Sequence, residues 1–296
     1  MKKKRIVLRA STIGYCMGVR RAVDSAIQAR KDNPTSNIFT LGELIHNPTT
    51  LQNLYSLGIS VVKEEDCSTL KKGDIVIIRA HGTSPQILSL LAKKNVTIID
   101  STCPHVVSNR KLAQECGKKG LVILAGDKNH PEVKGIKNHV LESSNSSCII
   151  IENAEEASKI SSYNGDSPVF LIAQTTIKEE EFNSIKDVLA NKIKNLKIFN
   201  TICSATNKRQ AALKELSKKV DTIIVIGGKN SANTRRLFTT CQENKISSFF
   251  IEDIKELVET LPKDFYSFKR IGLASGASTP DEVIDSIEEK LYTLSP

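Results

Sequence analysis

The sequence has no tryptophan and only 5% aromatic residues, and it contains no uninterrupted apolar stretch of membrane-spanning length. A transmembrane helix needs about 20 consecutive apolar residues, so we expect no membrane association. The N-terminus is positively charged, but the apolar run that follows is short, is interrupted by Arg9 and has no small-residue cleavage site. It does not have the pattern of a secretory signal, and we expect a cytoplasmic protein.

The scarcity of aromatic residues also bears on nucleic-acid binding, which favours basic residues interleaved with aromatic ones. Lysine and arginine total 42 against 33 aspartates and glutamates, a net charge of +9, but the lysines are scattered along the chain. This pattern favours a lysine-rich solvated surface, and we expect no nucleic-acid partner.

The sequence lacks any Cys-x-x-Cys pair, which disfavours a zinc ribbon and a thioredoxin-type site. Its seven cysteines are an odd number in a chain without a secretion signal, so disulfides are not expected. The cysteines are Cys16, Cys67, Cys103, Cys116, Cys148, Cys203 and Cys241.

What the chain does contain is an alternation of short apolar runs with amphipathic segments of helical length. Strands are predicted at 6–8, 38–41, 75–78, 96–99, 121–124, 149–151, 169–172, 198–199, 222–226, 248–251 and 271–273. Helices are predicted at 19–30, 85–93, 106–118, 179–189, 208–220, 234–244 and 282–291. This alternation indicates an α/β fold with mostly parallel sheets. A length of 296 residues by itself favours about two domains.

Three cysteines occupy the same position relative to these elements. Cys16, Cys103 and Cys203 each follow a predicted strand and precede a predicted helix, and they lie about a third of the chain apart. The spacing suggests three α/β units that each offer one thiol at a strand-to-helix turn, where a helix N-terminus favours the thiolate. Such a set is suited to an iron–sulfur cluster or to zinc. Three buried cysteines without a metal are the alternative.

Similar strand-exit loops carry polar residues suited to an anion. His46, His81 and His130 each lie in such a loop, among Ser, Thr, Asn and Gly residues that precede helix starts. Helix capping is the alternative for part of this pattern, although we do not expect it to explain the histidines. The capping candidates are Ser84, Thr234, Thr279 and Asp281. His105 and His139 lack this loop position and are expected at a helix start or on the surface.

The stretch His130-Pro131-Glu132 places an imidazole and a carboxylate two residues apart. Both groups are metal ligands, and both are also suited to deliver a proton to a bound substrate. The residue types alone leave both interpretations open.

Longer stretches carry a resemblance to a known family. They are Gly14-Tyr15-Cys16-Met17-Gly18-Val19-Arg20-Arg21-Ala22, His46-Asn47, Ala80-His81-Gly82, Asp100-Ser101-Thr102-Cys103-Pro104, His130-Pro131-Glu132-Val133, Gln174-Thr175-Thr176, Cys203-Ser204-Ala205-Thr206-Asn207-Lys208-Arg209-Gln210, Gly228-Lys229-Asn230-Ser231-Ala232-Asn233 and Ser275-Gly276-Ala277-Ser278-Thr279-Pro280-Asp281. Taken in this order, they resemble the 4-hydroxy-3-methylbut-2-enyl diphosphate reductase (IspH/LytB) family over nearly the whole chain.

The resemblance implies three similar α/β units in a pseudo-threefold trefoil around one central [4Fe–4S] cluster. The units would comprise residues 17–103, 104–200 and 201–296, the last completed by residues 1–16. Cys16, Cys103 and Cys203 would bind three irons, leaving the fourth iron open to the substrate as a Lewis acid.

The implied reaction is the last step of the non-mevalonate (MEP) route to isoprenoid precursors. It removes the allylic hydroxyl of 4-hydroxy-3-methylbut-2-enyl diphosphate as water, consumes two electrons and two protons, and yields isopentenyl and dimethylallyl diphosphates. The resemblance implies that Glu132 relays the proton, that Thr175 positions the substrate oxygen, and that His130 assists the relay. The residues implied to bind the substrate are His46, His81, His130, Thr175, Ser231, Ala232, Asn233 and Ser278.

Three positions depart from the family pattern. Ala232 stands where a second serine is common and so lacks a side-chain donor, while Tyr15 replaces the usual phenylalanine and Ser101 the usual alanine. We expect diphosphate binding to survive the change at Ala232, because the backbone N–H of that residue remains.

The resemblance further implies a monomer that takes electrons from ferredoxin or flavodoxin. A quinolinate-synthase-like enzyme, which also uses three cysteines and three α/β units, is an alternative of similar chemistry whose motifs do not match these loops. A zinc-bound structural or RNA-associated protein, consistent with a pI of about 9.1, is the alternative from another class.

Overall fold

The computed structural model describes residues 5–45, 47–143 and 145–294, and within these ranges the chain forms twelve strands and eleven α-helices. The strands are β1 (Ile6–Arg9), β2 (Ile38–Leu41), β3 (Ile59–Val62), β4 (Ile75–Ile78), β5 (Thr97–Asp100), β6 (Leu121–Ala125), β7 (Ser147–Ile151), β8 (Val169–Ala173), β9 (Leu196–Phe199), β10 (Thr222–Ile226), β11 (Ser248–Ile251) and β12 (Arg270–Ser275). The helices are α1 (Met17–Asp32), α2 (Pro48–Ser56), α3 (Pro85–Lys93), α4 (Pro104–Gly117), α5 (Pro131–Val140), α6 (Ala154–Ser158), α7 (Glu179–Ala190), α8 (Ser204–Ser217), α9 (Ala232–Glu243), α10 (Ile254–Thr260) and α11 (Asp281–Thr293).

The strands form three four-stranded sheets, with the orders β1-β12-β10-β11, β3-β2-β4-β5 and β7-β6-β8-β9. Every pair of neighbouring strands in these sheets is parallel. The α/β class and the three parallel units predicted from the sequence are therefore confirmed.

The chain divides into two compact units. Unit 1 comprises Met1–Arg20, Ile45–Leu57 and Ser204–Pro296, and it contains the sheet of β1, β10, β11 and β12. Unit 2 comprises Arg21–Leu44 and Gly58–Cys203, and it contains the other two sheets. The boundaries of three domains at residues 17–103, 104–200 and 201–296 remain a prediction.

The central strands are buried on both faces, which explains why they appear in the sequence as continuous apolar runs. In β10, Ile224 and Ile226 join one core cluster with Phe265, while Ile223 and Val225 join the opposite one. Strand β8 alternates in the same way between two clusters of unit 2. Each of these two sheets is thus covered by helices on both faces, and its strand-exit loops lie together at the carboxyl edge.

Several elements absent from the predicted set are short. They are β3, α2, α5, α6 and α10. Helices α6 and α10 have only five and seven residues, too few positions for a helical period to stand out from the flanking loops. The missed helix α5 has the largest consequence, because it begins at Pro131, inside a stretch that the sequence presents as a polar loop.

Helix capping is more selective than the sequence alone indicates. Of the four candidates, Ser84 does cap α3, since its hydroxyl accepts from the backbone N–H of Ile87 at 3.4 Å. Thr234 lies inside α9, Asp281 is the first residue of α11, and the Thr279 hydroxyl donates to the carbonyl of Ile226 at 3.0 Å.

No helix in the described ranges combines the length and apolarity that a membrane crossing requires.

Candidate active site

A carboxyl group buried in unit 2 is bound by a threonine from the neighbouring strand exit. The Thr175 backbone N–H donates to Glu132 Oε1 at 2.8 Å, and the Thr175 hydroxyl donates to Glu132 Oε2 at 2.6 Å. The pairing follows from the sheet, because β6 and β8 are neighbours in register with Ala125 opposite Ala173. Glu132 follows β6 on α5, and Thr175 directly follows β8.

Glu132 is only 1% exposed. Burial raises the pKa of its carboxyl group, because the charged form loses its hydration, while the two hydrogen bonds from Thr175 and one from Asn109 act in the opposite direction. A carboxyl group whose pKa is raised holds a proton at higher pH than an exposed one, which suits a general acid.

The loop before α5 is fixed by a close approach between the two strand exits. The Gln174 side chain accepts from the Asp127 N–H at 2.9 Å and donates to the Thr176 hydroxyl at 2.9 Å. A Cβ at Gly126 would lie 2.5 Å from the Gln174 side-chain oxygen, so only glycine fits there. This packing holds the Glu132 loop and the Thr175 loop against each other.

Asn109 is a residue of this site to which the sequence analysis gave no role. It lies on α4, is 2% exposed, and donates through its side-chain amide to the carbonyl of Ala173 at 2.8 Å. Its side-chain oxygen is buried and has no hydrogen-bond partner among the described residues. A polar residue in a helix whose other buried positions are mostly apolar was the only available signal, and periodicity does not show what such a residue contacts.

His130 serves as the N-cap of α5. Its Nδ1 accepts from the backbone N–H of Glu132 at 3.2 Å, so the neutral ring carries its proton on Nε2. The expectation that capping would not account for the histidines is therefore wrong for His130. His81, which follows β4, meets the His130 ring edge-on, with centroids 4.9 Å apart. The structure thus brings His81, His130, Glu132 and Thr175 together in unit 2.

His139 was expected at a helix start or on the surface, and this is wrong. It lies in the last turn of α5 and is 8% exposed. Its Nε2 lies 3.2 Å from the Arg110 guanidinium, and its Nδ1 lies 3.2 Å from the Glu142 carboxylate. The physical reason is that α5 packs against α4, which turns this face of the helix inward.

In unit 1, the exits of β10 and β12 form a second polar region. The Ser231 hydroxyl caps α9 by accepting from the Thr234 N–H at 3.4 Å, and Ser278 is 8% exposed in the loop before α11. A Cβ at Gly276 would lie 2.0 Å from the Thr234 hydroxyl, so the two loops pack directly on each other. Asn233 lies in the first turn of α9 and is half-buried, and its role in substrate binding remains a prediction.

The structure does not describe the side chains of two residues of the predicted site. Ala232 is the first residue of α9, and its side chain is outside the description. His46 lies outside the described residues. Its role in substrate binding remains a prediction.

The seven cysteines fall into two groups by environment. Cys16, Cys103 and Cys203 are half-buried, whereas the other four are buried. Loss of hydration raises the pKa of the Cys67 and Cys116 thiols, and raises it to about 11 for Cys148 and Cys241. Burial thus disfavours the thiolate form of these four cysteines, which is the form that binds a metal. The assignment of the first three as cluster ligands and of the other four as bystanders remains a prediction.

Each cysteine of the first group lies at a helix start, and its backbone N–H donates a hydrogen bond to a carbonyl of another segment. The N–H of Cys16 donates to the Ala277 carbonyl at 3.0 Å, that of Cys103 to Ala80 at 2.9 Å, and that of Cys203 to Thr175 at 2.7 Å. Three accessible thiols at helix N-termini fit an iron–sulfur cluster in donor type.

The joint ligand set remains a prediction. Cys16 belongs to unit 1, and Cys103 and Cys203 belong to unit 2. In residues 5–45, 47–143 and 145–294, no group of three or more His, Cys, Asp or Glu side chains stands close enough to hold a metal ion.

Parallel α/β units, half-buried thiols at helix starts and a buried carboxyl group bound by a threonine are the features of an α/β enzyme. The sequence assigns it more closely. The model of the LytB protein family matches residues 7–292, and the chain belongs to this family.

Relatives and solved structures agree with this assignment. The chain is 45% identical to the 4-hydroxy-3-methylbut-2-enyl diphosphate reductase of Treponema denticola over 293 residues, which cover 97% of this chain and 99% of the relative. It is 40% identical to the reductase of that name from Clostridium perfringens, over 98% of this chain and 100% of the relative.

Two solved structures share the fold. One is the (E)-4-hydroxy-3-methyl-but-2-enyl diphosphate reductase described as the terminal enzyme of the non-mevalonate pathway, with 37% identity, a TM-score of 0.77, and coverage of 98% of this chain and 100% of that chain. The other is the corresponding reductase of Plasmodium falciparum, with 28% identity, a TM-score of 0.84, and coverage of 99% and 89%.

Proposed function

We propose that this protein reduces 4-hydroxy-3-methylbut-2-enyl diphosphate to isopentenyl and dimethylallyl diphosphates. Two electrons and two protons enter, the allylic C–O bond breaks, one proton leaves with the hydroxyl as water, and the other is added to carbon. The observation that carries the proposal is the buried Glu132 carboxyl group on the Thr175 hydroxyl, in a chain that matches named reductases along nearly its whole length.

Cys16, Cys103 and Cys203 are the residues that would hold the [4Fe–4S] cluster, one per chain. When bound, the cluster supplies electrons and, at the iron without a protein ligand, Lewis acidity toward the allylic hydroxyl. The support from this chain is the contrast between these three half-buried thiols and the four buried ones.

Glu132 is the proton donor of the proposed reaction. Its burial raises its pKa, so that it holds a proton near neutral pH better than an exposed glutamate. When protonated, it donates to the Thr175 oxygen, whose own hydrogen then turns toward the substrate hydroxyl. Thr175 therefore both positions the substrate oxygen and passes the proton, over a contact of 2.6 Å.

The diphosphate is bound by neutral donors rather than by the scattered lysines. In unit 2 we assign His81 and His130, whose rings are in contact. In unit 1 we assign Ser231, the backbone N–H of Ala232, Asn233 and Ser278, with His46 as a further predicted donor. The α9 N-terminus favours an anion there, because its first N–H groups carry partial positive charge.

The finer expectations from the sequence belong to the same proposal. We expect a monomer, in the cytoplasm, that takes electrons from ferredoxin or flavodoxin.

The test is an anaerobic assay. Protein purified without oxygen should be brown, bind about four irons per chain, and release both isoprenoid diphosphates when given the hydroxylated diphosphate and a reduced low-potential donor. A colourless protein that retains one zinc after cluster reconstitution would refute the proposal. A brown protein that leaves the substrate unchanged would refute the assigned reaction while keeping the cluster.

A further inference from the structure

A buried guanidinium in unit 1 has no carboxylate partner among the described residues. Arg209, on α8, is 4% exposed. It donates to the carbonyl of Gly14 at 2.6 Å and to the carbonyl of Ser275 at 3.2 Å. Its Nε is buried and has no partner, and it makes no ion pair with any of the described residues. Burying an uncompensated charge is costly, so a negative charge is expected nearby.

Two acidic groups act electrostatically on Arg209, namely Cys16 and Asp281. Burial lowers the pKa of the Arg209 guanidinium, and these two groups act in the opposite direction. Asp281 already forms an ion pair with Arg20 at 2.6 Å, and both side chains are about half exposed. Water and Arg20 therefore neutralise much of the charge of Asp281. Cys16 lies two residues from Gly14, whose carbonyl Arg209 binds, and as a cluster ligand it would be a thiolate.

The hydrogen bonds of Arg209 also place it in the frame of the Cys16 loop. Gly14 donates through its N–H to the Ser275 hydroxyl at 2.9 Å, and Cys16 donates to the Ala277 carbonyl at 3.0 Å. Arg209 connects the same two segments, because it donates to the carbonyl of Gly14 and to the carbonyl of Ser275. Gly14 has a φ of +76°, a backbone conformation that residues with a Cβ rarely adopt, so the conformation of this loop depends on glycine at that position. The guanidinium is thereby held in a fixed place beside Cys16.

We propose that Arg209 is a positioning residue whose fixed positive charge beside Cys16 raises the reduction potential of the bound iron–sulfur cluster. The inference rests on the proposed function, since it takes Cys16 as a cluster ligand. A thiolate-bound cluster carries net negative charge, and reduction adds another electron. A buried positive charge stabilises the reduced form more than the oxidised form, and net charge near a cluster is a determinant of its potential.

The test is an anaerobic redox titration of the cluster, followed by electron paramagnetic resonance and visible absorption, without substrate. In Arg209→Gln we expect a midpoint potential more negative than that of the wild type. In Arg209→Lys, which keeps the charge but not the planar fork of donors, we expect a potential close to the wild-type value. Arg9→Gln is the matched control, because Arg9 is exposed in the same unit and is paired with Asp285 and Glu288.

The outcomes separate charge from structure. Equal potentials in Arg209→Gln and the wild type, or an equal shift in the Gln and Lys variants, would overturn the proposal. If Arg209→Gln folds by circular dichroism but binds no iron, the Lys variant decides: a cluster at the wild-type potential supports the charge, and loss of iron there too overturns it.

Failure of this inference is distinguishable from failure of the proposed function. A wild-type protein that holds a cluster and turns over substrate, with no shift in Arg209→Gln, contradicts only the role of Arg209. A wild-type protein without a cluster contradicts both.

Discussion

Thr175 links Glu132 to Cys203 within unit 2. Its N–H and hydroxyl donate to the two oxygens of the Glu132 carboxyl group, at 2.8 and 2.6 Å, and its carbonyl accepts from the N–H of Cys203 at 2.7 Å. One residue thus holds the proposed proton donor with its side chain and the loop of a proposed cluster ligand with its backbone. This geometry connects the two halves of the proposed reaction, proton delivery and electron delivery.

The first prediction concerns the carboxyl–hydroxyl pair. Glu132→Gln keeps the size of the side chain but removes the transferable proton, and we expect turnover to fall by on the order of 10²-fold or more with iron content unchanged. The turnover of Thr175→Val should fall by a similar factor. Because the two groups act as one unit, the double variant should lose little more than either single variant.

The control for this pair is Glu115→Gln, an exposed carboxylate on α4 that pairs with Lys118 at 2.5 Å. Its turnover should match the wild type. Near-normal turnover in Glu132→Gln would contradict the relay role, and fully additive losses in the double variant would contradict the coupling.

The second prediction concerns the four buried cysteines. Ser or Ala at Cys67, Cys116, Cys148 or Cys241 should leave about four irons per chain, because these thiols stay protonated and are not ligands. The Ser variants should be less stable than the Ala variants, by about 1–3 kcal/mol where the new hydroxyl finds no partner. Iron analysis and urea unfolding measure the two effects. Loss of iron from a folded variant would refute the ligand assignment.

The third prediction concerns His139 and pH. Burial, and then the Arg110 guanidinium, lower the pKa of His139, while hydrogen bonds to Glu142 and to the Thr83 backbone act in the opposite direction. The unfolded chain therefore binds the proton first, at its ordinary pKa of about 6.5. As pH falls through that value toward the lower folded pKa, the free energy of unfolding decreases, and it stops decreasing below the folded pKa.

In His139→Gln this acid-side loss should disappear. Urea unfolding of the metal-free protein between pH 7.5 and pH 5.5 measures it, with His105→Gln, on the exposed start of α4, as the control for removal of an imidazole. An unchanged pH dependence in His139→Gln would contradict the assignment.

The fourth prediction concerns Tyr15, which replaces the phenylalanine usual in the family motif. Its hydroxyl lies 2.7 Å from the Thr50 hydroxyl, which in turn donates to the Asn47 side chain at 3.2 Å. Tyr15→Phe should lose this hydrogen bond and about 0.5–1.5 kcal/mol of stability, with iron content unchanged. Tyr55→Phe is the control, since Tyr55 is 67% exposed. Equal stability of Tyr15→Phe and the wild type would show that the bond contributes nothing.

The alternation of strands and helices was predictable because it follows from the local period of apolar residues along the sequence. Fully buried strands such as β8 and β10 are continuous apolar runs, and long helices such as α7 and α11 show an amphipathic period. The strand-to-helix position of Cys16, Cys103 and Cys203 follows from the same local pattern. The short helix α5 was not predictable in this way, and with it the capping role of His130 was missed.

The contacts between distant residues were decided by the tertiary structure. Glu132 and Thr175 are 43 residues apart, and they meet because β6 and β8 are adjacent and in register. The burial of His139 depends on α5 packing against α4, and the burial of Arg209 depends on which loops pack over α8. Periodicity specifies which face of an element is apolar, but not which element covers it. The sequence by itself therefore determined the class of fold, the family and the candidate residues. Only the packing of the chain decided which of those residues are paired and which are buried, because pairing and desolvation depend on neighbours that are remote along the chain.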